Sequence, residues 1–220
     1  VNKILLFLLI FFLNTSEVLC SIKAVAFDFG GVVATADRTE LIQLISRSFQ
    51  LTNKEAMELL TRWGDAMDEG QDETLFWQAC AASHAVHLPC DWHARLLAAQ
   101  VESLHPIAET LCMIQKLQQL GLSTPLLSNT TPLHATIIRN VGYYDFFYPV
   151  LLSYEIGVRK PDPRAFQILL QSLNLQPSEV LFIDDQLHNV EAAAELGIHT
   201  IHFVHPENLE EALQKKIPNF

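Results

Sequence analysis

Apolar residues fall along this chain in two rhythms that take turns. Short unbroken runs, Ala24-Val25-Ala26-Phe27, Leu126-Leu127, Val150-Leu151-Leu152 and Val180-Leu181-Phe182-Ile183, with Thr200-Ile201-His202-Phe203 as a fifth, have the length of strands covered on both faces. Helical stretches separate them. One runs from Pro106-Ile107 to a stop at Gly121, another opens at Thr130-Thr131-Pro132, a third opens at Asp162-Pro163 and carries Phe166, Ile168 and Leu169-Leu170, and a fourth covers Val190–Leu196 and ends at Gly197. Strands alternating with helices at these intervals predict an α/β fold with a doubly wound parallel sheet.

The stretch 37–103 keeps only the helical rhythm. Leu41, Ile42, Leu44, Ile45 and Phe49 recur at helical spacing, and Thr52-Asn53-Lys54-Glu55 has the spacing of a capping box ahead of Ala56-Met57-Glu58-Leu59-Leu60. A further helix is expected from Asp72-Glu73, carrying Leu75-Phe76-Trp77, and another from Asp91 through Val101. Trp63, Phe76, Trp77 and Trp92 read as the core of this helical insertion. The expected organisation is a core built from 21–36 and 104–220, interrupted by helices over 37–103.

Residues 1–20 follow neither rhythm. Lys3 precedes the apolar run Ile4–Leu13, the polar Asn14-Thr15-Ser16-Glu17 and then Val18-Leu19-Cys20. The run is too short to span a bilayer as a helix, and the basic, apolar, polar order is that of a secretory signal peptide. Cleavage after Cys20 and export to the periplasm or medium are expected, with a membrane tether or a cytoplasmic chain as alternatives. The whole chain, at 220 residues and half hydrophobic, is long enough for one domain with an insertion, and its net charge of −11 argues against a nucleic-acid or anionic-membrane partner. An anionic ligand would have to be drawn in by local charge. Cys80 and Cys90 would be free to bridge after export, leaving Cys112 over; Cys80, His84, His87, Cys90 and His93 are zinc-ligand types at a spacing that fits an ordinary helix-turn-helix better.

Chemistry concentrates where the apolar runs stop. Asp28 closes the first and is followed by Gly30-Gly31; Ser128-Asn129 closes the second; Asp184-Asp185 closes the fourth, with Asn189 beyond; Lys160 sits in the loop Val158-Arg159-Lys160-Pro161. In open parallel sheets ligands bind outside the carboxyl ends of the strands, because helices cover both faces. Singly, Asp28 would be no more than a strand cap and Lys160 a solvated lysine, although the rigid turn Pro161-Asp162-Pro163 would aim the latter at the strand tips. Crowded carboxylates at one sheet edge would need a hard cation between them, and Mg²⁺, with oxygen ligands, suits them.

In order and spacing these four motifs resemble the haloacid dehalogenase superfamily of aspartate-nucleophile phosphohydrolases, over about residues 22–36 and 104–205. The resemblance implies a Rossmann-like core with a helical cap over 37–103. It implies Asp28 as nucleophile, and Mg²⁺ held by Asp28, Asp185 and the Gly30 carbonyl, with Asp184 joined through water. Ser128 and the Asn129 N–H would grip phosphoryl oxygens, Lys160 would offset their charge and orient Asp28, and Asn189 would steady the loop. Asp-Phe-Gly-Gly, Leu-Ser-Asn-Thr, Arg-Lys-Pro and Asp-Asp-x-x-x-Asn are most similar to the α-glucose-1-phosphate phosphatase branch and to the phosphatase domain joined to epoxide hydrolases. The chain departs from most relatives at Gly30, where a general-acid aspartate is usual. Slow turnover or a good leaving group is then expected. Three functions follow: a Mg²⁺-dependent phosphatase of small phosphomonoesters, a non-catalytic binder of phosphate ligands or partners, or a dehalogenase, against which the metal-type pair Asp184-Asp185 counts.

Overall fold

The computed structural model describes residues 22–68 and 70–220; the expected leader, 1–20, lies outside them. In chain order come β1 (Ala24–Phe27), β2 (Ala34–Ala36), α1 (Thr39–Phe49), α2 (Asn53–Asp68), α3 (Glu73–Ser83), α4 (Trp92–Ser103) and β3 (Leu104–Pro106). They are followed by α5 (Ala108–Gln119), β4 (Leu126–Ser128), α6 (Pro132–Val141), β5 (Val150–Leu152), α7 (Ser153–Ile156), α8 (Pro163–Leu173), β6 (Val180–Asp184), α9 (Leu187–Glu195), β7 (His199–His202) and α10 (Pro206–Lys216).

Five strands form one parallel sheet in the order β5-β4-β1-β6-β7. The helices cover both of its faces, as the alternation of strand and helix requires, so the expected α/β doubly wound fold is the observed one. Side chains alternate across the sheet. Val25, Phe27, Leu126, Leu181 and Ile183 join one core cluster, while Ala24, Ala26, Leu127, Val180 and Phe182 join another with Phe166 and Leu169 of α8. β1 is wholly buried at the centre, in register with β6 from Ala24↔Val180 to Phe27↔Ile183. That register matters for chemistry. Asp28, Ser128 and Asp184 stand at the carboxyl ends of three neighbouring strands, so their side chains leave the sheet at one edge.

Helices α1 to α4 carry a separate core of Leu41, Ile45, Phe49, Leu59, Leu60, Trp77, Trp92 and Leu96. Phe49, Trp77 and Trp92 pack edge to face or tilted, with centroids 5.6 to 5.9 Å apart. The capping box at Thr52 forms: the Glu55 carboxylate accepts from the Thr52 N–H at 2.8 Å and Thr52 Oγ1 accepts from the Glu55 N–H at 3.3 Å. At α3 the Asp72 side chain accepts from the Leu75 N–H at 2.9 Å. The insertion leaves and rejoins the core through a two-stranded antiparallel ribbon, β2 against β3, with Ala34 opposite Pro106.

The structure answers two questions that the sequence left open for this region. Cys80 and Cys90 are not bridged, since Cys80 is buried among the aromatics while Cys90 lies in an exposed loop. Nor do the described residues gather Cys80, His84, His87, Cys90 and His93 into a metal-ligand group; His84 Nδ1 instead meets the Cys80 carbonyl at 2.9 Å, one helical turn back. Among the described residues no helix is long and apolar enough to cross a membrane.

Candidate active site

The chain after β1 turns sharply. The Asp28 N–H still donates to the Ile183 carbonyl at 2.9 Å, which ties the residue to β6, and Val33 and Ala34 then donate back to Phe29 to close the turn. Gly31 occupies the left-handed region at φ +77°, and a Cβ there would lie 2.5 Å from Asp185 Oδ2. The turn therefore packs directly on the second acidic motif. Gly30 has neither constraint: a Cβ at that position meets nothing within 4 Å.

Lys160 is the centre of the cluster. Its side chain is 1% exposed, and Nζ donates to Asp28 Oδ1 and to Asp184 Oδ2, both at 2.7 Å. Asp184 is fully buried and heavily bonded: Oδ1 accepts from the Gln186 N–H at 2.8 Å, and both oxygens accept from Asn189 Nδ2 at 3.1 Å. Asp185 is more open. Its Oδ2 accepts from Gln186 Nε2 at 2.7 Å, and His202 Nε2 lies 2.9 Å from its carbonyl oxygen. Burial pushes the Asp28 carboxyl up to about 6, with the adjoining Asp184 adding to the rise and the Lys160 ammonium opposing it.

Oxygens of Asp28, Asp184 and Asp185 lie within 4.8 Å of one another. Three carboxylates against one ammonium leave two formal negative charges at a partly buried site. An all-oxygen donor set with that deficit fits a hard divalent cation.

At the neighbouring tip of β4, Ser128 is buried and Asn129 reaches across the loop. Its Nδ2 donates to the Lys160 carbonyl at 2.8 Å and its Oδ1 accepts from the Lys160 N–H at 2.9 Å, so one amide fixes the backbone that carries the central ammonium. The Thr130 N–H is not open towards the strand tips but donates to Ser153 Oγ at 3.0 Å, and that hydroxyl returns a bond to the Thr130 carbonyl at 3.1 Å. Ser153, at the start of α7, cross-links two loops and absorbs a donor that the sequence left free.

The fold thus brings Asp28, Lys160, Asp184, Asp185 and Asn189 together and sets Ser128 and Asn129 beside them. Gly31, Ser153, Gln186 and His202 also shape this edge, as does the Asn129 side chain. Gln186 had a signal in its position right after the paired aspartates. His202 had none, because it arrives only through the pairing of β7 with β6.

A parallel sheet with these side chains at one edge defines an α/β protein whose polar site lies at the carboxyl ends of its strands. Residues 22–197 match the haloacid dehalogenase-like hydrolase family, and the chain belongs to it. It is 31% identical over 205 residues to mouse acyl-CoA dehydrogenase family member 10, a match covering 88% of this chain and only 19% of the mouse protein. A phosphatase of Mycobacterium tuberculosis is 28% identical over 190 residues, covering 81% of this chain and 85% of its own. The crystal structure of a haloacid dehalogenase family enzyme from Bacteroides thetaiotaomicron superposes with a TM-score of 0.73 at 25% identity, covering 88% of this chain and 99% of that one. The same enzyme in complex with magnesium and inorganic phosphate gives 0.69 over 82% of this chain and 93% of its own. The chain thus belongs to a hydrolase family and has phosphatases among its relatives.

Proposed function

We propose that the protein hydrolyses small phosphomonoesters with Mg²⁺, through a phosphoryl group carried on Asp28. The observation that carries this reading is the Lys160 ammonium, 2.7 Å from both Asp28 and Asp184. It holds the attacking carboxylate in one orientation and leaves a charge deficit suited to a divalent ion. When bound at Asp28, Asp185 and the Gly30 carbonyl, with Asp184 linked through water, the ion would offset charge on the phosphoryl group.

An Asp28 oxygen attacks phosphorus in line with the ester oxygen. The phosphorus–oxygen ester bond breaks, and the leaving oxygen takes its proton from solvent, since Gly30 has none to give. Water then attacks the same phosphorus, the bond to Asp28 breaks, and inorganic phosphate departs with the carboxylate restored. Ser128 and the Asn129 N–H hold phosphoryl oxygens, while Lys160, with two of its three protons committed, has one left for the substrate. The helices of 37–103 act as a cap over the core formed by 21–36 and 104–220, and residues 1–20 act as an export signal.

The test is a panel of phosphate esters with purified protein, with and without Mg²⁺. Turnover should vanish in chelator and in Asp28→Asn. Turnover that survives Asp28→Asn removes the nucleophile; dehalogenation that survives chelator restores the dehalogenase reading; ligand-induced thermal stabilisation with no turnover favours a binding protein, the reading that Gly30 supports. Mass spectrometry of the exported chain tests cleavage after Cys20.

A further inference from the structure

A cavity of about 280 Å³ lies where the helical insertion meets the core, walled by Arg38, Trp63, Met67 and Gln100 on one side and by Thr131 and His134 on the other. Thr131 follows Ser128 by three residues. Met67 also lines a larger cleft, about 650 Å³, together with Thr130 and with Arg159, the residue before Lys160. The small cavity is thus built on the segment that leaves the Ser128 strand tip, and through Met67 it shares a wall with the cleft at the Lys160 loop.

Its polar equipment is one-sided. Gln100 is 5% exposed and its Nε2 has no hydrogen-bond partner, a buried donor whose cost an acceptor entering the cavity would relieve. Arg38, at the start of α1, adds a permanent cation. His134, opposite, is held below its ordinary value by burial and then by the nearby Arg38, which disfavour its charged form. Among the described lining residues none is acidic, in a chain whose net charge is −11. Leu41 and Leu60 supply apolar contact on the insertion side.

We infer that this cavity receives the leaving group of the substrate, and that this group ends in a carboxylate, taken up by Gln100 Nε2 and Arg38. The inference rests on the phosphatase reading and narrows it to phosphate esters of small hydroxycarboxylic acids. A volume of about 280 Å³ holds roughly nine water-sized groups, so a leaving group of two to four carbons fits and a hexose is crowded.

Three esters of equal length, ending in a carboxylate, a hydroxymethyl group or an amine, separate the possibilities. The carboxylate ester should have the lowest KM. Arg38→Gln and Gln100→Leu should each raise that KM roughly tenfold to a hundredfold, and raise the KM of the hydroxymethyl ester far less. The phosphate-free hydroxycarboxylate should stabilise the wild-type protein thermally and fail to stabilise Arg38→Gln, a readout independent of turnover. Equal KM values for the three esters, or equal losses on all three in the variants, overturn the inference while leaving the phosphatase reading intact. Absence of Asp28-dependent turnover removes the phosphatase reading, and failure of the hydroxycarboxylate to stabilise wild type then removes the cavity assignment as well.

Discussion

Lys160→Met tests whether one ammonium holds the acidic cluster together. Methionine keeps a side chain of similar reach in the space beside Phe182, whose ring centroid lies 5.2 Å from Nζ, but it removes the donor to Asp28 Oδ1 and Asp184 Oδ2. Both acceptors are buried, with side chains 12% and 0% exposed, so the charges left behind cannot be fully rehydrated. Breaking a buried pair of this kind costs about 3–5 kcal/mol. At about 2–4 °C per kcal/mol for a domain of this size, metal-free protein should melt roughly 6–20 °C lower. Denaturant unfolding in chelator, read by tryptophan fluorescence, gives the same quantity directly. If stranded charge is the cause, adding Asp184→Asn to Lys160→Met should recover part of the loss, because the fully buried member no longer carries a charge. A single variant that loses less than about 1 kcal/mol, or a double variant whose loss is the sum of the two singles, refutes the reasoning.

The two glycines after Asp28 should behave oppositely. Gly31→Ala, forced into φ +77° and against Asp185, should cost about 1–3 kcal/mol and weaken Mg²⁺ binding measured by calorimetry, whereas Gly30→Ala should stay within about 0.5 kcal/mol of wild type. Gly30→Asp, entering open space, should speed esters with poor leaving groups by roughly a hundredfold or more and aryl phosphates far less; equal gains on both would argue against a missing proton donor. Asn129→Ala removes both bonds to the Lys160 backbone and should cost about 1–3 kcal/mol with a fall in kcat; unchanged kcat would show that Lys160 is held by other means. For pH, Asp28 rises from an ordinary 3.8 to about 6 on folding, so its contribution favours the folded state below about 3.8 and is lost as pH climbs through 6. Metal-free wild type should therefore lose stability between about pH 3.8 and 6 relative to Asp28→Asn, and parallel curves for the two proteins would contradict the shift.

Much of the fold is legible in local pattern. The apolar runs of β1, β4 and β6 cannot sit at a surface, and each is closed by a turn or a polar residue, so their existence and their ends follow from composition alone; β7, at the sheet edge, buries only part of its length. β2 and β3 were not legible, because each has three residues and neither buries a full face; only their pairing makes them strands. For α10 a signal existed in Leu209, Leu213 and Ile217 behind Pro206, at helical spacing. The pairing of Cys80 with Cys90 stayed open because spacing says nothing about direction: Cys80 turns into the insertion's core and Cys90 out to solvent.

The sequence by itself determined which residues close the strands and hence which carboxylates, hydroxyl and lysine were available to this edge. Their chemistry follows from side-chain type, and their placement at strand ends from the hydrophobic effect acting over four or five residues. Only the tertiary structure decided their mutual distances. Strand order and register put β4 and β6 on either side of β1, the Asn129 amide fixed the loop that carries Lys160, and Ser153 took the Thr130 N–H away from the site. Such contacts join residues tens of positions apart, where no local pattern acts, and they form because buried donors and acceptors must find partners once water is excluded.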